Sequence, residues 1–273
     1  MIMKFDGNLA WKQASSSLAT NRELLLALAG VFFLLPSLAF ALFLPQPEPN
    51  PGASPDQLMG AMQAYYLSVF PYMLITALTQ ATGTLAVLTL FTDRTRPTVG
   101  QAIKLGLGGL LSYLAAQLLL GLGLGVAGSI LLGAGALTGS QVFVGLIIVA
   151  LLVGVLYVAV KTSLVAPIVA VERERNPVSA LRRSWRLTRG NSVRVALFYL
   201  LFLAAFGLVF IVVMTLIGIV LALVASGSTA TTIAAVVSSA VGAVMTLYFV
   251  AILAAVHRQL AGPSAERASA PFE

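Results

Sequence analysis

One stretch of the sequence decides the fold. Residues 142–171 read VFVGLIIVALLVGVLYVAVKTSLVAPIVAV, an apolar run with a single charge, at Lys161. A helix needs about 20 apolar residues to cross roughly 30 Å of bilayer hydrocarbon. This run exceeds that length, so it must tilt, kink or extend beyond the membrane. We therefore predict a transmembrane helix here, with Pro167 as a candidate kink site.

Five further apolar runs are long enough to cross a bilayer. They cover residues 24–44, 66–91, 105–126, 193–225 and 231–256. The first follows a polar lead and is too long for the apolar region of a signal peptide, so we expect it to remain as a span. The sequence thus predicts an all-α polytopic membrane protein with six transmembrane helices. They form a single domain over residues 1–262, followed by a polar tail at 263–273.

The composition excludes most soluble alternatives. Of the 273 residues, 59% are hydrophobic and 9% are charged, whereas soluble domains carry about 25% charged residues. The mean hydropathy of +0.98 indicates that lipid is the main solvent. The chain has no cysteine and one histidine, His257. Disulfides, cysteine-ligated metals and multi-histidine metal sites are therefore excluded, and we expect no metal and no cofactor.

The basic residues predict the orientation of the chain. All lysines and arginines except Lys161 fall in the terminal segments or in the connections 93–104 and 172–194. Because lysine and arginine concentrate on the cytoplasmic side of membrane proteins, we predict that both termini face the cytoplasm. The net charge of +7 then reflects cytoplasmic loops, and we expect no nucleic-acid partner. The remaining connections, at 45–63, 133–140 and 226–231, carry no base.

Three short segments on the basic side are similar to one another. They read DGNLAWKQA at 6–14, RPTVGQAIK at 96–104 and NPVSALRRS at 176–184. Each precedes two apolar runs. This pattern predicts three repeats, each a cytoplasmic amphipathic surface helix followed by a transmembrane hairpin, over residues 5–92, 93–172 and 173–262. The alternative is chance similarity among apolar sequences.

The third surface helix has the clearest boundaries. Asn176 is a suitable N-cap, Pro177 suits the first helical position, and Gly190 suits the end of the helix. At 100° per residue, one face carries Arg182, Arg186 and Arg189, with Arg183 at its edge, and the other carries Val178, Leu181 and Trp185.

This pattern is typical of a helix that lies in the headgroup layer of a membrane. We predict that Arg182, Arg183, Arg186 and Arg189 meet anionic lipid headgroups and that Trp185 is the interfacial anchor. The alternative is a basic loop that only sets the topology and has no partner. The two readings are compatible.

Residues 171–191, VERERNPVSALRRSWRLTRGN, resemble the membrane domain attached to some bacterial glycerophosphoryl diester phosphodiesterases, together with its stand-alone YciC-like members. The resemblance implies an integral protein of the bacterial inner membrane with a poorly defined activity. In the fused members, hydrolysis belongs to a separate soluble barrel. These 273 residues contain no such barrel, so the resemblance does not imply that this chain is a phosphodiesterase.

The residues inside the spans offer little chemistry. All nine carboxylates lie in loops, at helix ends or in the tail, so an acid–base or metal-assisted enzyme is the least favoured function class. Lys161 is the one ionisable residue inside an apolar run, which makes it a functional candidate. Its side chain either snorkels to the headgroups or faces a cytoplasm-open cavity that it shares with Gln80 and Gln117.

Two smaller features concern packing. Gly121 and Gly125 have the small-xxx-small spacing of closely packed membrane helices. Pro71 is a second candidate kink site. Neither feature points to a ligand.

Two functions follow as hypotheses. The first is a non-enzymatic inner-membrane protein that interacts with lipids or supports envelope maintenance. The alternative is a transporter or permease-like protein with a cytoplasm-open cavity between the repeats. The sequence names no protein partner.

The topology can be tested with single cysteines, because the chain has none of its own. Asn50→Cys should react with a membrane-impermeant thiol reagent added outside intact cells. Gly190→Cys should react only after the inner side is opened. The reverse labelling pattern would contradict the predicted orientation.

Overall fold

A computed structural model of the protein describes residues 4–20, 22–44, 52–92, 98–224 and 227–262. Over these residues the chain is helical and contains no strand. Most of the outer loop predicted at 45–63 is described, but its residues 45–51 are not. Residues 93–97 and the tail 263–273 also lie outside the described residues.

Within the part of the chain that the structure describes, six helices are long and apolar enough to cross a membrane. This confirms the predicted all-α chain with six spans. The spans are Arg22–Phe43, Pro55–Phe91, Val99–Ala136, Gln141–Val171, Ser192–Val224 and Ser228–Ala261. In chain order, the helices are α1 (Gly7–Thr20), α2 (Arg22–Ala29), a π-helical turn (Gly30–Leu34), α3 (Leu35–Phe43), α4 (Pro55–Thr92), α5 (Val99–Ala136), α6 (Gln141–Thr162), α7 (Val165–Val171), α8 (Pro177–Leu187), α9 (Ser192–Val224) and α10 (Ser228–Ala261).

Prolines explain the two irregular spans. A proline lacks the N–H for a helical hydrogen bond, and its ring clashes with the carbonyl four residues earlier. The residue four positions before Pro167 is Ser163, and the fourth span is interrupted there, between α6 and α7. Pro36 lies just after the π-helical turn of the first span, so the irregular turn again precedes a proline. Sequence reasoning did not identify this irregularity. Helix α4, by contrast, continues through Pro71.

The packed core lies at one end of the bundle. We call it the basic end, because α1, α8 and most of the described basic side chains lie there. Helix α10 shows the gradient clearly, with its last turns from Val250 to Val256 buried and its first turns exposed. In the fourth span, Val142 and most of α6 are exposed, whereas residues 165–169 of α7 are buried. The exposed apolar halves are the surface that lipid would cover.

The second and third spans form the most extensive helix pair in the structure. Small buried residues of α5, at Ala102, Gly106 and Gly109, allow the close approach. A Cβ added at Gly106 would lie 3.0 Å from the backbone nitrogen of Ala86. Gly121 and Gly125 have open space instead, so the packing predicted from their spacing is wrong.

The second predicted surface helix does not exist as a separate element. Thr98 starts α5 with a capping box to Gln101, and the helix then runs without interruption from Val99 to Ala136. Lys104 is followed directly by the apolar run, and no proline or capping residue separates the predicted surface helix from the span. Helices α1 and α8, which precede the first and fifth spans, are separate elements.

Gly106→Leu should destabilise the protein, because the new side chain would be forced against the backbone of α4. Overpacking of this kind costs about 1–3 kcal/mol. The melting temperature in detergent should fall by several degrees. Gly121→Leu is the matched control on the same helix, and its melting temperature should stay near that of the parent protein. Equal melting temperatures for the two variants would contradict the packing described here.

Candidate functional site at the arginine helix

Local hydrogen bonds fix the start of α8. The side-chain oxygen of Asn176 accepts from the backbone N–H groups of Val178 at 3.0 Å and Ser179 at 3.1 Å. The carboxylate of Glu174 accepts from the backbone N–H of Asn176 and from the hydroxyl of Ser179, each at 2.9 Å. Pro177 occupies the first turn, as the sequence predicted. The side chains of Glu174 and Asn176 therefore both stabilise the start of this helix, before its arginines begin.

Helix α8 is docked onto the break in the fourth span by Ser184, which is completely buried. The Ser184 hydroxyl donates to the backbone carbonyl of Lys161 at 2.8 Å and accepts from the backbone N–H of Leu164 at 3.2 Å. These two backbone groups lie on opposite sides of the break. An unsatisfied backbone group in an apolar medium costs several kcal/mol, so this hydroxyl stabilises the interrupted span.

The buried face of α8 is small and polar rather than aromatic. Ala180, Ser184 and Thr188 recur every fourth residue, and all three are fully buried. Sequence reasoning placed Val178, Leu181 and Trp185 on a membrane-facing side away from the arginines and named no side that docks on protein. In the structure, Val178 and Trp185 instead line the same recess as Arg182 and Arg186. The spacing of the three small residues was the signal that could have identified the docked face.

Lys161 is enclosed by aromatic rings. Its ammonium nitrogen lies 5.5 Å from the centroid of Tyr157 and 5.4 Å from that of Trp185. The two rings meet edge to face with centroids 5.7 Å apart. Only 4% of Lys161 is exposed. A cation–π contact that is removed from water contributes about 2 kcal/mol, so the charge helps to hold α8 against α6.

The structure does not bring Lys161, Gln80 and Gln117 together. Gln80 donates to the Ser37 hydroxyl at 3.3 Å, and Gln117 donates to the Tyr113 hydroxyl at 3.0 Å. A cavity of about 560 Å³ lies between the second, third, fourth and sixth spans. Gln117 lines it, but Lys161 and Gln80 do not.

Glu172 links three elements at the end of the fourth span. Its carboxylate accepts from Arg183 Nε of α8 at 3.1 Å and contacts His257 Nε2 of α10 at 2.9 Å. Burial by itself raises the pKa of Glu172, but hydrogen bonds and charge from His257 and Arg183 outweigh it, so the pKa lies below its ordinary value. Sequence reasoning missed the contact between Glu172 and His257, because the two residues are far apart in the chain.

The remaining arginines of α8 face outward. A recess of about 540 Å³ is lined by Asn176, Val178, Ser179, Arg182, Trp185 and Arg186. Arg182 and Arg186 are exposed, and 41% of Trp185 is exposed between them. Arg183 is engaged with Glu172 instead, and Arg189 is exposed beyond the recess. Guanidinium groups placed in this way can bind phosphate oxygens through charge-assisted hydrogen bonds.

Comparison with known proteins gives one finding. The model of a family described as a domain of unknown function, DUF7847, matches residues 10–260, which is most of the chain. No curated protein and no solved structure matches it.

Glu172→Gln should destabilise the protein at neutral pH by about 1–3 kcal/mol, because hydrogen bonds to a charged partner are weakened. Since the pKa of Glu172 is lowered on folding from its ordinary value of 4.5, its contribution is complete above pH 4.5 and disappears as the pH falls through the folded-state pKa. Thermal unfolding of both proteins between pH 3 and 7.5 measures this difference. Glu23→Gln, on an exposed carboxylate, is the control. A difference that does not change with pH would contradict the assigned role of the charge.

Proposed function

We propose that this chain, which belongs to the DUF7847 family, is a non-enzymatic, multi-pass protein of the bacterial inner membrane that binds anionic lipid headgroups through α8. In the cell, this lipid binding would support maintenance of the envelope. The observation that carries the proposal is the recess of α8, in which exposed Arg182 and Arg186 flank the half-exposed Trp185.

The position of α8 along the fourth span supports this proposal. Helix α6 has 22 residues, which corresponds to about 33 Å at 1.5 Å per residue. That length matches the roughly 30 Å of bilayer hydrocarbon, so the break at Ser163 falls near the membrane boundary. Tryptophan and tyrosine are enriched at this depth, and Trp185 packs on Tyr157 close to the end of α6. The arginines of α8 then lie level with phosphate groups.

The finer architecture belongs to the same proposal. The cytoplasmic side is the basic end, and α1 and α8 are the surface helices of the first and third repeats. The second repeat has no separate surface helix, because α5 is continuous from Val99 to Ala136.

The relation to the membrane domain of glycerophosphoryl diester phosphodiesterases also stays a prediction, and it rests on the sequence of residues 171–191. The absence of catalysis is inferred from the placement of the carboxylates outside the spans.

One observation favours the transporter-like alternative. The cavity between the second, third, fourth and sixth spans presents the side chains of Tyr113, Gln117, Ser163 and Thr246 to its interior. Such a lining suits a neutral molecule with hydrogen-bonding groups. Of the described residues that line the cavity, none carries a charge, whereas ion-coupled transport uses buried charges. Lipid binding at α8 therefore remains the preferred function.

Trp185 can report lipid binding directly. The chain has two tryptophans, so Trp11→Phe leaves Trp185 as the only one. In nanodiscs, its quenching by acrylamide should fall as phosphatidylglycerol replaces a zwitterionic lipid, and added salt should reverse the effect. Each base near an anionic leaflet contributes about 1 kcal/mol. Replacing Arg182, Arg186 and Arg189 by glutamine should therefore abolish most of the response.

The control removes charge elsewhere at the basic end. Arg22→Gln combined with Lys104→Gln eliminates two exposed bases and should leave the Trp185 response nearly intact. A Trp185 signal that ignores both lipid charge and salt would show that α8 packs only on protein.

A further inference from the structure

A second groove at the basic end lies on the fifth span, away from α8. It has a volume of about 760 Å³ and runs between α9 and the N-terminal residues 4–11. One wall is a single face of α9, on which Arg194, Phe198, Phe202 and Phe206 recur every fourth residue. The other wall consists of the residues around Phe5 and Gly7 and the ring of Trp11.

The N-terminal wall is held in place by hydrogen bonds. The backbone N–H of Phe5 donates to the side chain of Asn191 at 3.0 Å. The backbone N–H and carbonyl of Asp6 pair with the amide of Gln259, both at 3.1 Å. Phe5 meets Phe198 edge to face with a centroid distance of 5.5 Å. These contacts to α9 and α10 make the groove a preformed site.

Gly7 and Trp11 shape the groove further. A Cβ at Gly7 would lie 3.0 Å from the Phe198 ring, so the backbone approaches the aromatic wall closely. Trp11 stacks on Tyr248 of α10, with ring centroids 6.0 Å apart. Tyr248 also contacts Phe206, with ring centroids 5.5 Å apart, so the indole of Trp11 lies near the apolar part of the groove.

The groove changes from charged to apolar along its length. Lys4 and Arg194 are exposed at one end. Among the described residues that line the groove, the only carboxylate is that of Asp6. It caps α1 by accepting the backbone N–H of Leu9 at 3.1 Å. The charged end therefore keeps a net positive charge. The opposite end is formed by aromatic and aliphatic side chains, with 69% of Leu201 exposed.

We propose that this groove binds one anionic phospholipid, with the phosphate between Lys4 and Arg194 and an acyl chain along Phe198, Phe202 and Phe206. From Arg194 to Phe206 the helix rises about 18 Å, slightly more than the roughly 15 Å of hydrocarbon in one leaflet. A lipid bound at that level would be oriented like the surrounding bilayer lipids. Its headgroup would contact Lys4 and Arg194 where the span leaves the hydrocarbon. The proposal rests on the proposed function only in placing the spans in a bilayer, since it uses none of the α8 arginines.

The test uses the second tryptophan. Trp185→Phe leaves Trp11 as the only tryptophan, and lipids with brominated acyl chains quench tryptophan at short range. In nanodiscs of a non-brominated zwitterionic lipid, small amounts of brominated phosphatidylglycerol should quench Trp11 more strongly than equal amounts of brominated phosphatidylcholine. Lys4→Gln with Arg194→Gln should weaken this preference about 30-fold, as expected for the loss of two interfacial bases.

Two further variants complete the test. Ala205→Leu adds bulk to the apolar wall and should reduce quenching by both brominated lipids. Arg182→Gln with Arg186→Gln removes the same charge from α8 and should leave Trp11 quenching unchanged. Equal quenching by the two lipids in the parent protein, or an unchanged preference after the Lys4 and Arg194 replacements, would overturn the proposal.

The two tryptophans separate this inference from the proposed function. A lipid-dependent Trp11 signal with an indifferent Trp185 would retain the groove and reject headgroup binding by α8. The reverse result would retain α8 and reject the groove.

Discussion

The hydroxyl of Ser184 bonds to both sides of the break in the fourth span, and the arrangement of the basic end follows from that contact. Pro167 interrupts the helix at Ser163, and an interrupted helix in a membrane needs other partners for its backbone groups. Ser184 is one such partner. Because Ser184 lies in the middle of α8, satisfying the break also determines where the whole helix lies. Trp185 then reaches Lys161, and Arg183 reaches Glu172.

The two ends of the bundle play different physical roles. At the basic end, buried side chains from α1, α7, α8 and α10 form a continuous core. Polar groups there include Ser184 and Glu172, which bond across helices. Towards the opposite end, the described parts of the spans expose large apolar side chains, as α6 does from Val142 to Tyr157. Lipid is the natural cover for that surface. The proposed recognition of headgroups therefore belongs to the basic end, where exposed cations such as Arg182 and Arg186 lie.

Sequence reasoning was most successful where a physical requirement is local. The length of apolar runs predicted six spans, and the cap at Asn176 with Pro177 predicted the start of α8. It was less successful where a side chain depends on distant neighbours. The glycine spacing at Gly121 could not show that the space beside this residue is open. Nothing near Lys161 in the chain indicated that Trp185 would cover it. The link between Glu172 and His257 depends on how the fourth and sixth spans meet. The orientation in the membrane and the family resemblance at residues 171–191 remain predictions.

The most direct test of this account is hydrogen exchange at residues 178–187 of the full chain in lipid nanodiscs. If Ser184 docks α8, the amides of this helix should exchange slowly in the parent protein. In Ser184→Ala they should exchange about tenfold faster or more, because two buried backbone groups lose a partner at a cost of about 1–3 kcal/mol. Ser68→Ala, which removes an exposed hydroxyl that bonds only within its own helix, should leave α8 unchanged. Equal exchange of α8 in Ser184→Ala and the parent protein would contradict the central role of this contact.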